Sequence, residues 1–221
     1  YEDMGVSYIC TSGEKLPHYI ESITSAHPIE STFLRGIVDA LNAEVALGSV
    51  TSLDDGISWL GFTYLFTRLC KAPRVYGLDA HDFEADPTLT QRRRQWITYA
   101  ANILAQHQMI EFDLAAGTLR PTNMGRIASR YYLSHKTVGI FHERLRNNLV
   151  EADALSLMSR AADFDQIPLR ESEEEELTSL LESVPCEVDG GTATAPGKVN
   201  ILLQAHISYL YVDDFALVSD M

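Results

Sequence analysis

Between residues 28 and 122, three helix-forming stretches run into one short alternating hairpin, and few folds accept that order. The first stretch carries Phe33, Ile37 and Leu41 at i, i+4 and i+8 and ends at Gly48, a residue suited to stopping a helix. The second begins with Ser52 and Asp55 in capping-box spacing. Its stripes, Leu53, Ile57, Leu60 and Tyr64 on one side and Phe62, Phe66 and Leu69 on another, predict a helix over 53–70 buried on most faces, ended by Pro73. Asp86-Pro87 has the form of a cap and first position for a long third helix, in which Ile97, Ala100, Ala101 and Leu104 share a face. Met109 to Asp113 then alternate, Leu114 to Gly117 turn the chain, and Thr118 to Thr122 return with Pro121 as an edge marker. Three helices followed by a two-stranded wing is the order of a winged-helix domain, here residues 28–122.

The flanks read differently. Val6 to Cys10 is expected to be one short strand and about 14–25 a helix. One strand makes no sheet, so residues 1–27 are expected to be the tail of an α/β domain whose other strands lie upstream. After the wing, Met124, Ile127, Ala128 and Tyr131 follow helical spacing, and further helices are expected near 136–146, 151–163, 171–182 and 196–210. Residues 189–197, rich in Gly and small side chains, read as a surface loop. The expected fold class is mostly α, with 123–221 the start of a helical bundle and Trp59, Leu60, Tyr64, Ile127 and Tyr131 in the core. Tyr1 at one end and the unstopped apolar run Leu217 to Met221 at the other suggest that the chain is cut from a longer one.

Composition excludes more than it assigns. No apolar run of membrane-spanning length and no secretory leader pattern is present, which points to an intracellular protein, cytoplasmic or nuclear. A formal charge of −14 argues against a free-standing nucleic-acid binder, which would carry an excess of Lys and Arg. Cys10, Cys70 and Cys186 form neither a disulfide framework nor a metal knuckle, and their apolar neighbours suggest buried thiols. The stretch Gly191 to Gly197-Lys198-Val199 imitates a phosphate loop, but its spacing is wrong and Val stands where Ser or Thr would ligate magnesium. The seven histidines show no metal-ligand spacing, and no nucleophile elbow exists, so no catalytic or metal residue is assigned. Glu171 to Glu176 reads as a solvated first helical turn.

The basic spots are the candidate contact residues. Arg92, Arg93 and Arg94 occupy successive helical positions spanning about 200°, so at least one guanidinium points away from the domain core, toward phosphate or toward a carboxylate of a neighbouring domain. The acidic surplus favours the carboxylate. Arg126 and Arg130, one turn apart, raise the same choice and receive the same answer.

Four ordered stretches carry a family resemblance. Tyr1-Glu2-Asp3-Met4-Gly5-Val6 with Ile9-Cys10-Thr11 resembles the segment behind the last motif of a RecA-like motor domain. Pro28-Ile29-Glu30-Ser31 with Leu41-Asn42-Ala43-Glu44-Val45-Ala46-Leu47-Gly48, and Trp59 to Phe66 with Pro73 and Tyr76-Gly77, resemble a winged helix. Met124 to Tyr132, Phe164 to Arg170 and Lys198 to Gln204 resemble the opening of a helical ratchet bundle. Together they are similar to the Ski-two-like helicases of superfamily two with tandem cassettes, above all to members serving ribosome quality control. The spliceosomal tandem-cassette helicase is the alternative. The resemblance implies a parent that hydrolyses ATP with magnesium and moves 3′ to 5′ along RNA or DNA, in a multi-subunit complex or on the ribosome. It places the P-loop, acidic box and arginine finger upstream, leaving this segment without catalysis or cofactor and packed against the parent's motor domains. The competing expectation is a free-standing winged-helix adaptor that binds protein or nucleic acid without ATP.

Overall fold

The computed structural model describes residues 5–24 and 29–221; Tyr1 to Met4 and the expected domain start at Pro28 fall outside them. The expected strand at Val6 to Cys10 is not formed: its backbone pairs with no other strand among the described residues, and Val6, Tyr8 and Ile9 are exposed. A strand acquires its hydrogen bonds from a neighbour, and none is in reach. Helix α1, Leu16–Thr24, follows and buries none of its residues.

The winged helix starts with a 3-10 turn, Phe33–Gly36, which feeds α2, Ile37–Leu47. Gly48 ends α2 in the left-handed region at φ 82, where a side chain would be strained. Ser52 and Asp55 form the expected capping box at the start of α3, Leu53–Gly61. The helix then breaks. Phe62 closes α3, and the Thr63 hydroxyl accepts from Phe66 N–H to open α4, Tyr64–Lys71, so the single helix expected over 53–70 is two. The break redirects the apolar stripes: Leu53, Ile57, Leu60, Leu65 and Leu69 are buried, whereas Phe62 is 90% exposed and Tyr64 53%. Trp59 is half-buried, edge-on to Phe33.

A 3-10 turn at Pro73–Tyr76 and helix α5, Ala80–Ala85, which no sequence pattern announced, lead to α6, Thr90–Gln106. Asp86-Pro87 does not open α6 as expected. Leu89 precedes the helix at φ 51, a costly conformation for a residue with a Cβ, and the cost is offset because its side chain is 1% exposed in the core. Asp86 still serves as the cap, from one turn back: its carboxylate accepts from the N–H groups of Thr90 and Gln91. Strands β1, Ile110–Asp113, and β2, Thr118–Pro121, pair antiparallel with Phe112 opposite Leu119. The Asp113 carboxylate accepts from the N–H groups of Ala115 and Ala116 to fix the turn. Thr51 and Ser52 also pair with β2, giving the wing a short third edge.

Six further helices follow: α7, Asn123–Tyr131; α8, His135–Arg144; α9, Glu151–Met158; α10, Glu174–Ser183; α11, Ala195–Ile207; and α12, Phe215–Asp220. Two hydrophobic cores result. The larger is built on α2, α3, α4 and α6 and reaches Ala128 on α7 and Val138 on α8. The smaller joins Leu177 and Leu180 of α10, Ile201, Leu202 and Ala205 of α11, and Leu217 of α12. Ile127 and Tyr131 belong to neither, being 47% and 66% exposed: α7 turns its glycine and alanine inward, and the large apolar groups face out. Cys10 and Cys70 are exposed and Cys186 half-buried, contrary to the expectation of buried thiols; Cys70 lies on α4 away from its buried Leu65 and Leu69.

Candidate interdomain contacts and charged sites

The arginine triplet on α6 is consumed by its own domain. Arg93 donates from Nη1 to the Ile57 carbonyl at 2.6 Å and from Nη2 to the Thr88 carbonyl at 3.1 Å, while its guanidinium lies 4.8 Å over the Phe66 ring. It therefore clips α6 to α3 at the point where Gly61 leaves room: a Cβ there would come within 2.8 Å of Arg93 Nη1. Arg94 pairs with Asp54 at 2.7 Å on an open surface, a carboxylate of its own domain, and Arg92 reaches Gln95 and the Trp96 ring. Arg126 and Arg130 are exposed and have no ion pair among the described residues, so the carboxylate expected for them is not found there.

Arg68 stands in sequence with the basic residues before the triplet, yet only 9% of its side chain is exposed. It grips Glu30 with two hydrogen bonds, 2.7 and 3.2 Å, while Tyr76 donates to the same carboxylate at 2.8 Å. The Arg68 and Tyr76 donors hold Glu30 below the usual carboxylate range. Tyr76 in turn accepts from Ser31 N–H and fixes the start of the winged helix.

The winged helix and the bundle meet at a close seam. Helix α7 crosses α2 at Gly125, where a Cβ would lie 2.0 Å from the Met109 carbonyl oxygen and 2.8 Å from Asn42 Oδ1. Asn42 Nδ2, buried, donates to the Gly125 carbonyl at 3.0 Å. At the start of α8, His135 donates its backbone N–H to Asp39 at 2.7 Å and sets its ring Nδ1 3.0 Å from the same carboxylate. His107 packs beside it against Gly139, and burial, with the neighbouring His135, lowers the His107 pKa. The histidines thus serve packing and capping at a junction.

In the smaller core, Lys198 of α11 is fully buried and its Nζ donates to Glu173 at 2.5 Å, to Asp220 at 2.7 Å and to the Pro168 carbonyl at 2.8 Å. Arg170 bridges the same two carboxylates from the solvent side. Burial alone would raise the Glu173 carboxyl, but donors from Lys198 and Arg170 outweigh it and hold it below the usual range; Arg170 and then Lys198 do the same for Asp220. The lysine of the imitation phosphate loop therefore has no free donor for a phosphate. Nor is Glu173 part of a solvated turn, as the acidic run suggested; it is the buried anion of this lattice, and Glu176 is committed to the N–H groups of Asp213 and Asp214. Among the described residues no group of three or more metal-ligating side chains exists, and no helix is long and apolar enough to cross a membrane.

Residues 30–105 match the family described as a winged helix-turn-helix domain, and residues 121–221 match the Sec63 Brl domain. The chain is 45% identical over 217 residues to the RQC trigger complex helicase SLH1 of Saccharomyces cerevisiae, covering 98% of this chain and 11% of that protein. It is 40% identical over 222 residues to activating signal cointegrator 1 complex subunit 3 of Homo sapiens, covering all of this chain and 10% of that one. The U5 small nuclear ribonucleoprotein 200 kDa helicase of Drosophila melanogaster is 38% identical over 221 residues, with the same coverage. The chain belongs to the Ski-two-like helicase family.

It spans about a tenth of the length of these curated relatives, and corresponds to the winged-helix and Sec63 Brl segment of such a helicase. Two of the stretches that carried the family resemblance meet in the structure. Pro168 and Arg170 end one of them and Lys198 begins another, and they meet in the buried lattice. Gln204, at the far end of α11, accepts from Cys186 N–H and donates to its carbonyl, closing the same helix onto the loop after α10.

Proposed function

We propose that this segment is the non-catalytic brace of an ATP-dependent 3′–5′ RNA or DNA helicase, coupling motor domains elsewhere in the parent chain to strand-gripping helices of the bundle. ATP and magnesium are handled by those motor domains. The parent works inside the cell, in cytoplasm or nucleus, within a multi-subunit complex or on the ribosome. Ribosome-associated quality control or remodelling of RNA–protein assemblies is its process, in keeping with the names its relatives bear.

The observation that carries the reading is the seam at Gly125. A brace must transmit displacement without absorbing it, and close-packed contacts do this because they are stiff and have few alternative packings. Backbone lies directly on backbone there, and Asn42 and Asp39 fasten the bundle's first two helices to α2. The test is Gly125→Val in the full-length parent. Nucleic-acid-stimulated ATP hydrolysis should persist while strand separation per ATP falls roughly tenfold, the size of a typical coupling energy. Equal loss of both activities, or of neither, would remove the brace reading.

A further inference from the structure

The last third of this chain has no cation to spare. Residues 147–221 hold 15 of its 31 Asp and Glu but three of its 17 Lys and Arg, and all three are engaged: Arg160 with Asp189, and Arg170 and Lys198 with Glu173 and Asp220. Such a surface repels phosphate chains and anionic headgroups and draws in cationic segments. Potential alone selects a sign of charge, however, and not a place.

The place is an apolar groove of about 330 Å³ between α9 and α11. Leu155 and Met158 of α9, Pro185 and Cys186 of the loop after α10, and Ile207 at the end of α11 line it. Met158 is 48% exposed and Ile207 63%, so apolar surface stands open to water on both helices. The spacing is held without a ligand, because the buried Gln204 amide accepts from Cys186 N–H and donates to the Cys186 carbonyl. With that amide committed, the groove lacks the convergent polar groups that orient a small molecule, and its shape suits aliphatic side chains carried in by another chain. A methionine wall adapts to the exact shape of such a guest.

Charge and aromatic surface meet at the rim. Glu151 lines the groove at the start of α9 and Glu187 follows Cys186; both are exposed, and neither has an ion pair among the described residues. Past Ile207, Tyr209 takes the left-handed turn after α11 at φ 54 and is 95% exposed. Leu210 and Val212 pack into the smaller core, so Tyr209, Tyr211 and Asp213 between and beside them face outward. Free aromatic rings next to carboxylates attract lysine and arginine through both the ring face and the charge.

We propose that the groove between α9 and α11 docks a lysine- and arginine-rich segment of a protein partner, whose aliphatic residue enters the groove while its cations meet Glu151, Glu187 and the Tyr209 ring. The site goes beyond the brace and does not depend on it.

The experiment uses the full-length parent and a short fluorescein-labelled peptide of lysines and arginines with two central leucines, beside the same peptide with serines at the centre, followed by anisotropy across a potassium chloride series. The leucine peptide should bind about tenfold more tightly, the effect of burying one such side chain. Met158→Lys and Ile207→Lys should each abolish that preference. Glu151→Lys with Glu187→Lys should weaken both peptides, most at low salt, and Tyr209→Ser should weaken both about threefold. Glu174→Lys with Glu175→Lys, which removes acids on α10 outside the groove, should leave the preference and most of the affinity in place. Equal losses from the two acidic pairs, or no preference for leucine in the wild type, would reduce the binding to general attraction and overturn the proposal. Should the variants unfold, photo-leucine at the peptide centre decides on the wild-type parent: adducts on α9, residues 184–187 or α11 support the groove, and adducts confined elsewhere, or none, overturn it. Self-association of the wild-type parent that Met158→Lys abolishes would assign the groove to a second copy and likewise overturn it.

Discussion

The winged helix and the far half of the bundle are stabilised by opposite means. In the first, twenty buried apolar residues from Ile37 to Val138 form one core, and each charged contact reaches water on at least one side: Arg68 is buried but its partner Glu30 is partly exposed, and Arg94 with Asp54 lies open. In the second, eight buried apolar residues surround a lysine and a glutamate that water does not reach. Apolar burial is non-directional and tolerates some change of shape, whereas a buried ion pair demands every partner in place and is costly when one is removed. The second region should therefore be the more brittle of the two, and more sensitive to single residues and to acid.

Four experiments sharpen or break that contrast. Lys198→Ala should cost about 3–5 kcal/mol, because it removes the buried partner of Glu173 and leaves that carboxylate only Arg170 on its solvent side. A loss below about 1 kcal/mol by chemical denaturation would end the comparison, since that is the scale of an exposed ion pair. Acid should separate the regions next. Glu173 and Asp220 have lowered folded-state pKa values, so their contribution is complete above the ordinary carboxylate range and lost as pH falls through the lowered values. Glu30 has the same sign, but its pair is partly in water and the larger apolar core does not depend on it. Both tryptophans, Trp59 and Trp96, lie in the winged helix. On acidification, circular dichroism should thus fall before tryptophan fluorescence changes, and coincident curves would contradict the contrast. Thr63→Ala, which removes the cap of α4, should cost about 1 kcal/mol and be confined to the first region. Smallest of all, Lys198→Met together with Glu173→Leu should restore stability close to that of the wild type, because an ion pair exchanged for apolar volume is often neutral.

What could be read from the sequence tracks how local the cause is. Gly48 as a stop, the Ser52 and Asp55 box and the wing hairpin all depend on residues within a few positions of one another, and the structure contains each of them. Leu89 was illegible because its left-handed backbone is imposed by a pocket made of distant helices. Tyr64, Ile127 and Tyr131 followed helical spacing correctly, but spacing gives a face and not what covers it. The lattice was hidden for a third reason: Glu173, Lys198 and Asp220 are separated by more than twenty residues at each step, and each looked ordinary in its own neighbourhood. The one signal available was a lysine amid the apolar positions of 199–205, where a solvated charge has no place.

That lysine has a practical consequence. An amine sealed among Pro168, Glu173 and Asp220 is shielded from acylating reagents, while Lys71 and Lys136 stand in the open. Its rate of modification therefore measures how often this buried lattice opens, and it gives the parent machine a native clock for that opening, with no probe attached.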